Sequence, residues 1–202
     1  MKSFHYLASF VALAVAIPTD LGPRADCPTI DQIAPTGQLP PGTLSPAFLQ
    51  TVSKKEPNKA FPASQSAIVT PNDKCTITQF DIPASAQNKT CSLVLTLGDC
   101  GGNAYEKGPG NIIFQGLTGT SFPVPGQTTY ANQPPLADPF PDSPVITLGN
   151  AYRLGGGPCD YRPGQAFTSV GGSICSTDTT LSFTESYGGN GKCPIGFHII
   201  IT

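Results

Sequence analysis

The chain has no tryptophan, one methionine and two histidines, and it is poor in charge. Lys, Arg, Asp and Glu make up 12% of its 202 residues, about half the usual quarter. Eleven Lys and Arg stand against thirteen Asp and Glu, a net charge of −2. There is no basic surplus to neutralise phosphates, so nucleic-acid binding is excluded. Charged heptad flanks are missing too, which excludes a coiled coil. The longest apolar run, Tyr6–Ala16, falls short of the ~20 residues that span a bilayer. No transmembrane segment is therefore expected. What the chain does have is turn formers: Gly and Pro number 22 each. That is about 22% of the chain against an average near 12%, too much for a helical bundle. The apolar set still reaches 39%, enough to build a core.

The N-terminus reads as a secretory signal peptide over residues 1–16. Lys2 supplies the positive start, Tyr6–Ala16 the apolar stretch and Ala14-Val15-Ala16 the cleavage signal. The mature chain is then expected to be secreted and extracellular, with cell-wall association open. Removing Lys2 leaves ten cations against thirteen acids, a net charge of −3. All seven cysteines survive cleavage. In an oxidising compartment they pair. The disulfide candidates are Cys75, Cys91, Cys100, Cys159, Cys175 and Cys193. Cys27, alone in an irregular stretch, is the choice for the odd one out. No C-x-x-C occurs and the mature chain keeps one histidine, so no zinc site is expected. Asn88-Lys89-Thr90 is a glycosylation sequon.

Residues 17–62 hold nine prolines and little periodicity. They read as a Pro-rich irregular arm or pro-segment. Within it, Leu44–Leu49 offers a short helical turn, with Ser45 as N-cap and Pro46 first. Residues 63–202 read as the folded domain. Strands are expected at Ala67–Thr70, Cys75–Ile82, Cys91–Leu97, Asn111–Leu117, Ala166–Val170, Leu181–Ser186 and Phe197–Ile201. Cys91–Leu97 is the clearest, with Cys91, Leu93, Leu95 and Leu97 on one face. In Cys75–Ile82 the apolar residues change face before Phe80 and Ile82. Val145–Leu148 and Ala151–Leu154 flank Gly149-Asn150 as a hairpin. Gly98–Gly110 and Ala131–Pro144 read as loops. With no helical crossovers the sheet is antiparallel. The class is an all-β antiparallel β-sandwich, a jelly roll or open barrel being the alternative.

Catalytic chemistry has little to work with. The only mature histidine, His198, reads as a surface or edge-strand residue. G-x-S-x-G and H-E-x-x-H are absent, and the glycine clusters at 108–110 and 155–157 lack the features of phosphate loops. Paired carboxylates remain as a hydrolase option, with Asp81, Asp99, Glu106, Asp160 and Glu185 as candidates. Asp138 and Asp142 suggest a weak calcium site at most. No catalytic residue, metal or cofactor is assigned. For glycan binding the candidates are Tyr105 and Tyr130, both expected in loops, because exposed aromatics stack on sugar faces.

Several segments also occur together in a recognisable order. They are Val52-Ser53-Lys54-Lys55-Glu56-Pro57-Asn58-Lys59-Ala60-Phe61, Phe80-Asp81-Ile82-Pro83 and Lys89-Thr90-Cys91-Ser92-Leu93-Val94. Gly149-Asn150-Ala151-Tyr152 leading to Pro158-Cys159, and Pro194-Ile195-Gly196-Phe197, follow. Over residues 50–202 the chain resembles the fungal "ubiquitin 3 binding protein" C-terminal-domain family of secreted proteins. The resemblance implies a secreted or cell-surface β-rich domain and no catalytic residues. It also implies a Cys91–Cys159 bridge, since those two sit at the family's cysteine positions. The ubiquitin-like machinery in the family's name is not carried over, because a signal peptide and disulfides point outside the cell. The expected function is a secreted fungal surface protein with a structural or interaction role. A carbohydrate-binding module for cell-wall glycan is the alternative, and partners are a wall glycan or another extracellular protein.

Overall fold

The computed structural model describes residues 27–31, 33, 36–99, 103–159, 161–189 and 192–202. The expected signal peptide at 1–16, Cys100 and Asp160 lie outside the described residues. Twelve strands are described: β1 Phe48–Ser53, β2 Ala63–Ser64, β3 Ser66–Val69, β4 Lys74–Pro83, β5 Thr90–Leu97 and β6 Ala104–Lys107. They continue with β7 Ile113–Leu117, β8 Leu136–Pro139, β9 Asn150–Pro158, β10 Phe167–Cys175, β11 Thr180–Thr184 and β12 Ile195–Ile201. Apart from one 3-10 turn at Ala84–Ala86, the described regular structure is all β.

The strands form three antiparallel sheets. Six strands run in the order β2-β1-β4-β10-β7-β8, three as β3-β11-β6 and three as β12-β5-β9. A single bridge, Ser186 to Ile195, links the end of β11 to the start of β12. The arrangement is the all-β sandwich that the spacing of turns predicts. One core takes residues from all three sheets, among them Leu49, Phe80, Leu95, Phe114, Phe183 and Phe197. Phe197 stands at its centre, edge-on to Phe114 at 6.4 Å and to Phe183 at 5.7 Å. Edge-to-face pairs match the positive rim of one ring to the negative face of the next.

Strand β4 shows how alternation distributes the apolar residues. Thr76, Thr78, Phe80 and Ile82 point to the core, while Cys75 and Ile77 point outward into a smaller cluster with Val52, Leu117 and Tyr130. The predicted change of face is thus a handover from an outer cluster to the inner core. No break in the strand is needed. In β5, Leu93, Leu95 and Leu97 face the core as expected.

Three expectations are corrected. The segment Leu44–Leu49 does not form a helical turn. Leu44 pairs with the edge of β12 through two hydrogen bonds to Ile199, 2.8 Å each, and Phe48–Ser53 is a fully paired inner strand. A sheet edge that can be completed outweighs a weak local capping signal. The 145–154 hairpin is absent. Val145 bridges Asn111 and Asn150–Pro158 pairs with β5. The two expected loops each hold a short strand, β6 and β8, because edge strands need little apolar alternation.

The disulfides are Cys27–Cys193, Cys75–Cys175 and Cys91–Cys159. Cys91–Cys159 is the bridge implied by the family resemblance. Cys75 and Cys175 lie opposite each other on β4 and β10, 4.5 Å apart at Cα, the spacing of a narrow cross-strand pair. Cys27 is not the odd cysteine. It ties the arm to the start of β12 across 166 residues. The reason is burial: Ile30, Ile33 and Leu39 of the arm pack on Val94 and Ile200, covering the outer face of β12-β5-β9.

Candidate functional site

The covering arm changes the environment of His198. Its side chain lies opposite Phe197 and Ile199, as the alternation predicts, but that face is not solvent. His198 is completely buried. This corrects the reading of a surface histidine. Burial holds its pKa down at about 4, because a charged imidazole there loses its hydration. Its Nδ1 lies 3.3 Å from the Ser45 hydroxyl, and Nε2 has no partner. The Tyr187 ring packs against it at 5.7 Å. Burial pushes the Tyr187 phenol up, and a Ser45 hydrogen bond partly opposes the shift.

Glu185 lies close to this group. It follows β11, and its Oε1 accepts the Phe197 N–H at 2.9 Å. Oε2 is buried and unpartnered. Burial of the carboxyl end pushes its pKa up to about 8. The neighbour that makes room is Gly196, at φ 109°, where any Cβ would overlap the Glu185 carboxyl. Only glycine tolerates both that dihedral and that contact. Glu185 therefore occupies the side-chain slot of Gly196, on the same face of β12 as His198.

The other acids are dispersed. Asp81 points outward from the six-stranded sheet, accepting hydrogen bonds from Ser169 at 2.7 Å and Gln79 at 3.1 Å. The core lies between it and Glu185. Glu106 is on β6 with a buried, unpartnered Oε1. Asp99 is exposed, Asp138 sits on β8 and Asp142 in the turn beyond it. Asp178, not singled out from sequence, organises a turn. Hydrogen bonds from Asn111, Thr179 and Ser176 hold its carboxyl below the usual range. Among the described residues, no group of three His, Cys, Asp or Glu could hold a metal ion.

The two tyrosine candidates part company. Tyr130 sits in a turn and is half-buried against Val52, Cys75 and Ile77. Tyr105 lies in strand β6 instead of a loop and is 52% exposed. It forms one rung with Ser182 of β11 and Ile68 of β3. All three point away from the core. Ser66 and Thr184, hydrogen-bonded to each other at 2.9 Å, form the next rung. With Asn103 these residues line a shallow cleft of about 340 Å³. An apolar ring beside hydroxyls and an amide is a surface that complements a sugar. The register across three strands assembles it, so sequence reasoning saw only Tyr105. Asn88 is exposed in the turn before β5, with φ 62°.

The fold and these surfaces define a disulfide-bonded, antiparallel β-sandwich domain. Residues 44–189 match the ubiquitin 3 binding protein But2 C-terminal domain, and the chain belongs to that family. No curated protein matches it. Among the described residues, no helix is long and apolar enough to cross a membrane.

Proposed function

We propose that this chain is a secreted β-sandwich protein of the fungal surface, with a structural or interaction role and no catalysis. The observation that carries the reading is the dispersal of the described candidate acids. Glu185 is spent on a backbone N–H inside the fold, and Asp81 is held by side chains on the opposite outer surface. The signal-like residues 1–16 and the three disulfides support export. Expression of the full chain in a yeast host tests it. The expected result is a protein in the medium that begins at Ile17. Loss of mass on endoglycosidase treatment, abolished by Asn88→Gln, is expected too. Retention inside the cell with Met1 intact would overturn the proposal.

A second reading, glycan binding, is favoured by the rung of Ile68, Ser182 and Tyr105. Removing a stacking ring costs a weak glycan site roughly 1 kcal/mol or more. Tyr105→Ala is expected to cut retention on insoluble chitin or β-glucan at least about fivefold. Tyr130→Phe, in contrast, is expected to leave it unchanged. No retention of the wild-type chain on either polymer removes this reading and leaves a protein partner.

A further inference from the structure

Between the sheets lies a cavity of about 210 Å³, and its lining is almost wholly apolar. Phe80, Phe114 and Ile174 line it from the six-stranded sheet, Leu93, Phe197 and Ile199 from β5 and β12. It exists because of one register. Gly172 of β10 pairs with Gly116 of β7 and, on its other side, with Thr78 of β4. Three adjacent core-facing positions therefore carry two missing side chains and one short one. A Cβ built on Gly116 meets nothing within 4 Å. At Gly116 the gap is therefore open space, whereas at Gly172 a Cβ would meet the Gln115 carbonyl oxygen at 2.8 Å and the backbones approach closely.

One polar atom inside stands out. Thr78 is 7% exposed, and its hydroxyl is buried without a hydrogen-bond partner. A buried hydroxyl left unpaired is unfavourable and uncommon. A lone water is a poor remedy, since it needs two to four polar partners. The neighbouring polar side chains are engaged elsewhere: Gln115 donates to Ala137 O and Ser173 lies against Cys175.

We propose that this cavity is a binding site for a small, mostly apolar molecule carrying one hydrogen-bonding group, which meets the Thr78 hydroxyl. At a protein-like packing density of ~0.75, the space holds on the order of eight to ten non-hydrogen atoms. An apolar cavity of ~150 Å³ in another protein already admits benzene. The site is independent of the Tyr105 surface, which lies on the outward face of the β3-β11-β6 sheet.

Benzyl alcohol and its hydrocarbon isostere ethylbenzene are suitable probes. Titration followed by amide shifts in 15N-labelled protein is expected to move Gly116, Gly171 and Gly172 with both. Thr78→Val keeps the shape and removes the hydroxyl. It is expected to lower the affinity for benzyl alcohol relative to ethylbenzene about fivefold. Gly116→Leu fills the cavity without a backbone clash and is expected to abolish binding of both. Absence of any shift in the wild type, or undiminished binding to Gly116→Leu, overturns the site. An unchanged ratio in Thr78→Val overturns the role of the hydroxyl.

Discussion

Glu185→Gln is expected to raise the thermal unfolding midpoint at pH 8 by on the order of 10 °C, and to change it little at pH 4.5. The carboxyl titrates at about 8 in the fold against an ordinary 4.5 in the open chain. Between those values the folded state holds a proton that the unfolded state has released. Each pH unit across that window then favours unfolding by roughly 1.4 kcal/mol. The stabilisation is complete below 4.5 and gone above 8. Glutamine keeps the carbonyl that accepts the Phe197 N–H and never ionises, so the alkaline loss disappears.

His198 acts in the opposite direction. It is neutral in the fold, with a pKa of about 4 against 6.5 when unfolded. Its contribution is complete above 6.5 and is lost as the pH falls toward 4. The two slopes cancel between about 4.5 and 6.5, so the wild-type chain is expected to show a stability plateau there. Glu185→Gln is expected to turn that plateau into a rise up to pH 6.5, with no decline beyond it. Midpoints measured at half-unit steps from pH 4 to 9 check both statements. A wild-type midpoint that holds steady from pH 6.5 to 8.5 would contradict the burial of Glu185.

The second large effect concerns the arm. Cys27→Ser with Cys193→Ser is expected to lower stability by about 3–4 kcal/mol. The bridge closes a long loop, its ends separated by 166 in sequence, and loop entropy grows with length. Its loss also loosens the cover that Ile30, Ile33 and Leu39 place on Val94 and Ile200. Limited proteolysis gives a second readout. The variant is expected to be cut within residues 27–44 while β1–β12 survive, and Val94 and Ile200 then gain solvent. If the double variant unfolds no earlier than the wild type and resists cleavage there, the arm is not held by this bridge.

Much of the sandwich was legible because period-2 alternation needs no partner to be seen. Leu93, Leu95 and Leu97 name their own face, and so do Phe197 and Ile199. Edge elements were not legible. Tyr105-Glu106-Lys107 carries no apolar alternation, and its strand exists only because β11 offers it an edge. Leu44–Leu49 misled for a related reason: Ser45-Pro46 is a local helix signal, and the edges of β12 and β4 override it.

The amino-acid sequence by itself determined the all-β class, the core faces of β5 and β12 and the readiness of the cysteines to pair. Each follows from local composition and periodicity. Only the tertiary structure decided where the arm lies, and with it the partner of Cys27 and the burial of His198. The same holds for the cavity, since Gly116, Gly172 and Thr78 are unremarkable until strand register sets them side by side. Glu185 and Gly196 likewise meet only across β11 and β12. Register and long-range covering are set by the summed burial of many residues, and no short stretch of chain encodes that sum.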